Sequence, residues 1–155
     1  MSMKDKLVTR FFLDFNPPTV THQEQKIRIL WDKKNNRHIP QKYNPPELED
    51  AKQLYIAHLM KNKLKEPLTG PVALMVQWQF LTKQKKLDQA WKTTKPDTDN
   101  LNKLLKDCMT LTGFWIDDAQ VVYESISKIW VKEAPPGIII EVYDLSEGKG
   151  EMNHV

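Results

Sequence analysis

The chain has 155 residues, of which 40% are hydrophobic and 28% are charged, and this composition excludes a disordered tail and fits one compact domain. Its single cysteine, Cys108, excludes a fold held together by internal disulfides, and without a Cys/His cluster the sequence offers no structural zinc site. The 23 Lys and Arg exceed the 20 Asp and Glu by only three, so net charge alone does not indicate a polyanionic partner.

The start of the chain and its hydropathy predict a soluble, intracellular protein without a membrane partner. Residues 7–15 carry Arg10 and Asp14, whereas a signal peptide needs an uninterrupted apolar stretch after its basic end. No apolar run approaches the roughly 18 residues that a membrane-spanning helix needs.

The first elements are predicted from hydrophobic spacing and turn residues. Leu7–Phe15 and Gln25–Trp31 have the pattern of strands, and Asn16-Pro17-Pro18 between them is a strong turn signal. Residues 32–43 are polar and charged, and we expect them to form a mobile loop. A helix then begins at Pro45-Pro46-Glu47, since proline and acidic residues suit the first helical turn.

The middle of the chain contains the clearest strand. The helix is predicted to continue to about Leu64, because its apolar residues recur at helical spacing until there. Val72–Phe80 then alternates apolar residues with polar or small ones, as a half-buried strand does. Thr82–Lys95 has no apolar period and is predicted to be a long loop.

The last elements are a second helix and two strands. Residues 99–112 carry an apolar stripe at i, i+3, i+4, i+7 and i+8 that includes Cys108, which we therefore assign to the core, and Gly113 is a suitable stop. Val121–Val131 and Ile138–Tyr143 are predicted strands. The Pro135-Pro136-Gly137 turn between them predicts a hairpin.

The order β-β-α-β-α-β-β predicts a single-domain α+β fold, in which two main helices pack on a mixed β-sheet. We expect the domain to cover residues 1–145 and a polar tail to cover residues 146–155.

Two short acidic segments lie on either side of the second helix and are the strongest chemical signal. Asp97 and Asp99 come before the helix, where an extended backbone points their side chains the same way. Either Asp99 or Asn100 is placed to cap the helix. The second segment, residues 115–119, carries Asp117 and Asp118.

Two interpretations of these acids remain open from the residues alone. Helix capping and i,i+4 pairing explain Asp99, Lys103 and Asp107, but they do not explain Asp97 or the second acidic pair. The alternative is a carboxylate cage for a hard divalent cation such as Mg²⁺, which relieves repulsion between carboxylates. Such an ion stabilises charge on a phosphate under attack, and Lys103 is one turn from Asp99.

The loop before the first acidic segment is basic and indicates a phosphate partner. Five lysines and one tryptophan precede Asp97, with one acidic residue among them. Lysines beside metal-binding carboxylates can hold a DNA backbone against a site. The predicted DNA-binding residues are Lys83, Lys85, Lys86, Trp91, Lys92 and Lys95.

Two motifs in these segments resemble the RusA family of Holliday junction resolvases. The first motif, Pro-Asp-x-Asp-Asn-Leu-x-Lys-x-x-x-Asp, begins at Pro96, and the second, Trp-x-Asp-Asp-x-Gln-Val, begins at Trp115. The resemblance implies a small homodimeric endonuclease that depends on Mg²⁺, with Mn²⁺ as a substitute, and that cuts four-way DNA junctions by paired symmetric nicks. Such enzymes are common in phages and prophages, so a bacterial or phage-infected cytoplasm is expected.

The resemblance also assigns roles to residues. Its catalytic, metal-binding acids fall on Asp97, Asp99 and Asp118, and its essential lysine falls on Lys103. The residues expected to support this site from around it are Asn100, Asp107 and Asp117.

Two alternatives to junction resolution are kept. A nuclease for other branched DNA or flaps would use the same metal ligands, so only a comparison of substrates separates the two. A non-catalytic, dimeric DNA-binding protein would use the acids for capping, and we expect Mg²⁺ not to stabilise such a protein.

Overall fold

The structure, a computed structural model, describes residues 2–21 and 26–146. Gln25, the first residue of the predicted second strand, lies outside this part, as does the predicted tail apart from Ser146. Within these residues the α-helices and strands are β1 (Leu7–Leu13), β2 (Lys26–Asp32), β3 (Arg37–Tyr43), α1 (Pro46–Met60), β4 (Val72–Leu81), α2 (Thr98–Leu111), β5 (Val121–Val131) and β6 (Gly137–Asp144).

Four strands form a mixed sheet in the order β1-β6-β4-β5. Strand β4 is central, since it pairs antiparallel with β6 on one side and parallel with β5 on the other. Its alternate residues Val72, Leu74, Val76, Trp78 and Phe80 are buried in one hydrophobic cluster with side chains of α1 and α2. The predicted α+β class and the mixed sheet with two packed helices are confirmed.

Helix α2 forms the crossover that makes β4 and β5 parallel neighbours, and its apolar stripe is fully buried as predicted. Leu101, Leu105 and Cys108 are at most 1% exposed. Gly113 has a φ of 82°, a left-handed conformation that glycine adopts without steric cost, and it follows the last turn of the helix.

The predicted hairpin between β5 and β6 is wrong, because β4 lies between these two strands. The prediction assumed that strands adjacent in sequence are adjacent in the sheet. Two prolines do not suit a tight hairpin turn, which favours residues with positive φ. The linker 132–136 instead crosses two strand spacings, roughly 10 Å, past the end of β4.

The mobile loop predicted for residues 32–43 is also wrong. Residues Arg37–Tyr43 form β3, which pairs with β2 over its whole length in a separate two-stranded sheet. The turn between the strands includes Asn36 at a φ of 52°, a conformation that asparagine tolerates better than most residues. This pair of strands, residues 26–43, is called the basic hairpin below.

Within residues 2–21 and 26–146, no helix is long and apolar enough to cross a membrane.

Candidate active site

The first acidic segment lies at the N-terminal end of α2, where both carboxylates are exposed. Asp97 has the extended backbone of an N-cap residue, but its side chain makes no capping hydrogen bond. Asp99 and Lys103 are exposed, and neither belongs to an ion pair found in the described part of the chain. Capping and i,i+4 pairing therefore do not account for these three side chains, which remain available for a ligand.

The backbone leading into Asp97 is held by two lysine side chains. Lys128 on β5 donates hydrogen bonds from Nζ to the carbonyl oxygens of Thr94 at 2.8 Å and of Pro96 at 2.7 Å. The Nζ of Lys92 donates to the Lys95 carbonyl oxygen and to the Thr94 hydroxyl, both at 2.6 Å. Charged donors make stronger hydrogen bonds than neutral ones, so they fix the position of this segment beside the helix.

The position of Lys92 contradicts its predicted role in DNA binding. Its side chain is only 5% exposed, and its ammonium lies 4.5 Å from the ring centre of Trp130 and 5.1 Å from that of Phe80. Burial, and next the positive charge of Lys128, lower the pKa of Lys92 below its usual value. The ammonium of Lys92 is thus buried, and it holds the loop through its hydrogen bonds to Thr94 and Lys95.

The other predicted DNA-binding residues lie at the surface. Residues 89–92 run antiparallel beside residues 128–130, so this part of the loop covers the outer edge of β5. Trp91 is 70% exposed. The lysines with exposed side chains are Lys83, Lys85, Lys86 and Lys95.

Helix α2 itself is anchored to the central strand by a buried polar contact. Asn102 is fully buried, and its Oδ1 accepts a hydrogen bond of 2.9 Å from the indole nitrogen of Trp78 on β4. A buried polar group needs such a partner, so this bond specifies the orientation of the helix against the sheet. The carboxylates at the start of α2 inherit that orientation.

The second acidic segment follows the C-terminal end of α2 and is anchored by aromatic residues. Phe114 and Trp115 are at most 1% exposed, and the indole nitrogen of Trp115 donates to the hydroxyl of Thr110 at 2.7 Å. These contacts fix where the chain leaves the core, immediately before Asp117 and Asp118.

Gln120 organises this segment, although the sequence analysis gave it no role. Its Oε1 accepts hydrogen bonds from the backbone nitrogens of Ile116 and Asp117, and its Nε2 donates to the carbonyl oxygens of Leu68 and Gly70, all between 2.8 and 3.0 Å. In the sequence, an Asp followed three residues later by Gln is the spacing of a capping box, and this signal could have identified it.

Asp107 of α2 lies beside this segment, and the acids there interact. Asp107, Asp117 and Asp118 line an open depression of about 440 Å³ together with Thr110, Leu111 and Ile116. Burial, a hydrogen bond with Asp117 and the negative charges of Asp107 and Asp117 raise the pKa of Asp118 above its usual value, while Lys106 opposes them. Lys106 also forms an ion pair of 2.8 Å with Glu124 on β5.

The two acidic groups are separated along the helix. Asp99 and Asp107 are eight residues apart on α2, which at 1.5 Å per residue is about 12 Å along the axis. In the described residues of a single chain, no three carboxylate, imidazole or thiolate groups are arranged to hold a metal ion. The structure therefore joins Asp118 with Asp107 and Asp117, and it leaves Asp97 and Asp99 at the other end of the helix.

The residues at both ends of α2 lie within a segment that matches a known protein family. The family model described as Endodeoxyribonuclease RusA matches residues 17–143. The chain belongs to the RusA family of endodeoxyribonucleases. The resemblance inferred from the two motifs is thereby confirmed.

Curated RusA relatives come from phages and bacteria. The crossover junction endodeoxyribonuclease rusA of Lactococcus phage r1t is 44% identical over 75 residues, which cover 47% of this chain and 57% of the phage protein. The RusA proteins of Escherichia coli K12 and Enterobacteria phage 82 are 28% and 27% identical over 107 residues, covering 66% of this chain and 81% of each relative. The segment shared with the r1t protein thus spans little more than half of that relative.

Proposed function

We propose that this protein is a structure-selective endodeoxyribonuclease that resolves four-way DNA junctions by paired symmetric nicks. The observation that carries the proposal is the set of exposed side chains at the start of α2, namely Asp97, Asp99 and Lys103, for which neither capping nor ion pairing is found among the described residues. The RusA family match, and the names of the relatives as crossover junction endodeoxyribonucleases, support this choice of substrate.

The proposed metal ligands are Asp97, Asp99 and Asp118. Carboxylate oxygens are the hard donors that Mg²⁺ and Mn²⁺ prefer. Burial, and after it the neighbouring acids Asp117 and Asp107, raise the pKa of Asp118, and a cation relieves the repulsion between these acids. When bound, such an ion neutralises charge on the phosphate and makes water a better nucleophile. The donor chemistry therefore fits the ion.

Lys103 is proposed to act on the scissile phosphate directly. Its exposed ammonium lies one helical turn from Asp99, where it can stabilise the added negative charge during attack or donate a proton to the leaving oxygen. Lys92 and Lys128 are proposed to hold the preceding backbone, so that the carboxylates of Asp97 and Asp99 keep one geometry.

A homodimer is proposed to complete the ligand set that one chain separates. Three large apolar side chains between the end of α2 and the start of β5, namely Leu111, Ile116 and Val122, are between 63% and 68% exposed, and Leu111 and Ile116 line the acidic depression. A second copy packed against them would bury this surface and bring further carboxylates to it. Two-fold symmetry would also place two sites on one junction, as paired nicks require.

The deciding experiment is cleavage of a synthetic four-way junction compared with plain duplex and with a flap of the same sequence, with Mg²⁺ titrated. We expect symmetric nicks in the junction, little cutting of duplex and no reaction in EDTA. Preferential cutting of the flap would establish the alternative nuclease, and the absence of cutting on all three substrates would contradict the proposal.

Thermal unfolding with Mg²⁺ or Mn²⁺ separates the enzyme from a non-catalytic DNA-binding protein. A ligand that binds only the folded state raises the stability of that state. We therefore expect a higher midpoint of thermal unfolding with about 10 mM metal than in EDTA. If the dimer completes the site, this increase in the midpoint should be larger at higher protein concentration. An unchanged midpoint at all concentrations would remove the metal site from the proposal.

A further inference from the structure

The basic hairpin stands apart from the rest of the fold in pairing and in charge. It forms its own two-stranded sheet, separate from the four-stranded sheet. It contains six of the 23 Lys and Arg but only one of the 20 Asp and Glu, Asp32. Without the hairpin, the remaining chain would carry two more acidic than basic residues, so the net positive charge of the protein resides there.

One face of the hairpin is apolar and exposed. Ile27, Ile29 and Trp31 alternate along β2 and therefore share a face, and they are 64%, 62% and 50% exposed. The ring of Trp31 lies edge-on to His38, directly opposite on β3, with ring centres 5.0 Å apart. A soluble protein seldom presents three large neighbouring apolar side chains without a partner.

The opposite face is occupied with contacts of its own. Arg28 donates from Nε to Gln41 at 2.9 Å, and its guanidinium lies 5.3 Å from the ring centre of Tyr43. Leu30 and Ile39 are half-buried there. These cross-strand contacts stabilise the two strands, and Ile27, Ile29 and Trp31 stay exposed on the other face.

We propose that this apolar face of the basic hairpin enters the branch point of the DNA junction, where Trp31 stacks on a base that the branch leaves partly unstacked. Charge selects DNA as the occupant over a second copy. Two hairpins facing each other across a two-fold axis would repel, whereas phosphates around the branch neutralise the lysines. Aromatic stacking on exposed bases is tolerant of sequence and suits recognition of shape.

The inference rests on the proposed function and names the surface that distinguishes a junction from duplex. Intact duplex offers the lysines its phosphates but offers Trp31 no free base face. The lysines Lys33, Lys34 and Lys42 would therefore contribute to binding of any DNA, while Trp31 would contribute to junction preference alone.

The test measures Trp31→Ala against the wild type in EDTA, with a junction carrying 2-aminopurine at the branch and with a matched duplex. We expect junction affinity to fall roughly five- to a hundredfold, duplex affinity to stay unchanged, and the quenching of 2-aminopurine fluorescence on binding, which stacking of Trp31 would cause, to disappear. Trp31→Phe should restore most of both signals. Met60→Ala, which removes a 45%-exposed side chain from the end of α1, is the matched control and should behave as wild type.

A second arm replaces Lys33, Lys34 and Lys42 with glutamine. It should weaken junction and duplex binding alike and reduce the slope of log affinity against log salt by about one per lysine. Circular dichroism and sedimentation of every variant accompany these measurements.

Two outcomes would overturn the inference: unchanged junction affinity and fluorescence in Trp31→Ala, or conversion of a wild-type dimer to a monomer, which would make the face a self-association surface. Failure of the wild-type protein to prefer the junction over duplex would instead contradict the proposed function.

Discussion

The two ends of α2 position their carboxylates by different means. At the start of the helix, lysine ammonium groups donate hydrogen bonds to backbone carbonyl oxygens of residues 94–96, and the acids that follow are exposed and belong to no ion pair found among the described residues. At its end, the amide of Gln120 fixes the loop, and burial together with the charges of Asp107 and Asp117 raises the pKa of Asp118. If the proposed metal site is correct, the first end of α2 presents exposed carboxylates to the ion, and at the second end the ion relieves repulsion between acids.

The largest expected effect comes from removing a carboxylate at the start of α2. Asp99→Asn should lower junction cleavage by more than about a hundredfold. Asp99 is a proposed metal ligand, and removing a ligand lowers activity more than removing a residue that only supports a ligand. Junction affinity, measured by gel shift in EDTA, should persist or increase, since one negative charge beside the phosphate is gone. Cleavage at the normal rate in Mg²⁺ would refute the assignment of Asp99.

Removal of the hydrogen bonds that hold the backbone of residues 94–96 should have the next largest effect. Lys128→Met loses the hydrogen bonds to Thr94 and Pro96, and we expect a cleavage rate about 10- to 100-fold lower with junction affinity retained. The Mg²⁺ concentration for half-maximal rate should rise, because the ligands are less well ordered.

The matched control for that variant is Lys132→Met, just beyond the end of β5, where the ammonium lies 3.7 Å from the exposed carboxylate of Glu133. It should leave both rate and Mg²⁺ dependence unchanged. Equal losses of cleavage rate in the two variants would show that the positive charge in this region matters, and not the hydrogen bonds to residues 94–96.

At the other end of α2, the expected effect is on stability. Gln120→Ala removes four hydrogen bonds to backbone groups, and we expect the free energy of unfolding in urea to fall by about 1–3 kcal/mol. Gln53→Ala on the exposed side of α1 serves as the control and should change little. A Gln120→Ala protein as stable as wild type would mean that Phe114 and Trp115 alone hold the segment.

The smallest effect is a pH dependence. The raised pKa of Asp118 means that folding disfavours its charged form, so stability is lost as pH rises through that pKa. In EDTA at pH 7, Asp118→Asn should therefore melt slightly above wild type, and the difference should vanish well below the unfolded pKa of about 3.9. Mg²⁺ should raise the midpoint of wild type more than that of the variant. A variant less stable than wild type in EDTA would reverse this account.

The sequence predicted the elements that bury a regular apolar face. Strand β5 has the predicted bounds, and α2 begins and ends one residue earlier than predicted, because its apolar stripe and Gly113 determine it. Strand β3 was missed for the opposite reason. It is largely exposed, so no apolar alternation marks it, and Pro40 argues against a strand.

The candidate site was predictable as a set of residues but not as an arrangement. Both acidic segments stand out in the sequence, and the family was indicated by the resemblance of their motifs. Nothing in the sequence reveals that the ammonium of Lys92 lies against the rings of Phe80 and Trp130. The aliphatic stem of lysine allows burial as well as exposure, and only the packing of distant strands decides between them. The separation of Asp118 from Asp97 likewise depends on the length of α2.

The parallel pairing of β4 with β5 joins residues about 50 positions apart, such as Leu81 and Val131. Contacts this distant along the chain form late in folding, because a long loop must close first. Lys128, which holds the backbone of residues 94–96, is on β5 and is synthesised after the acids at the start of α2. A nascent chain therefore carries these acids before it can order them, and we expect the proposed nuclease activity only after nearly the whole domain has been synthesised.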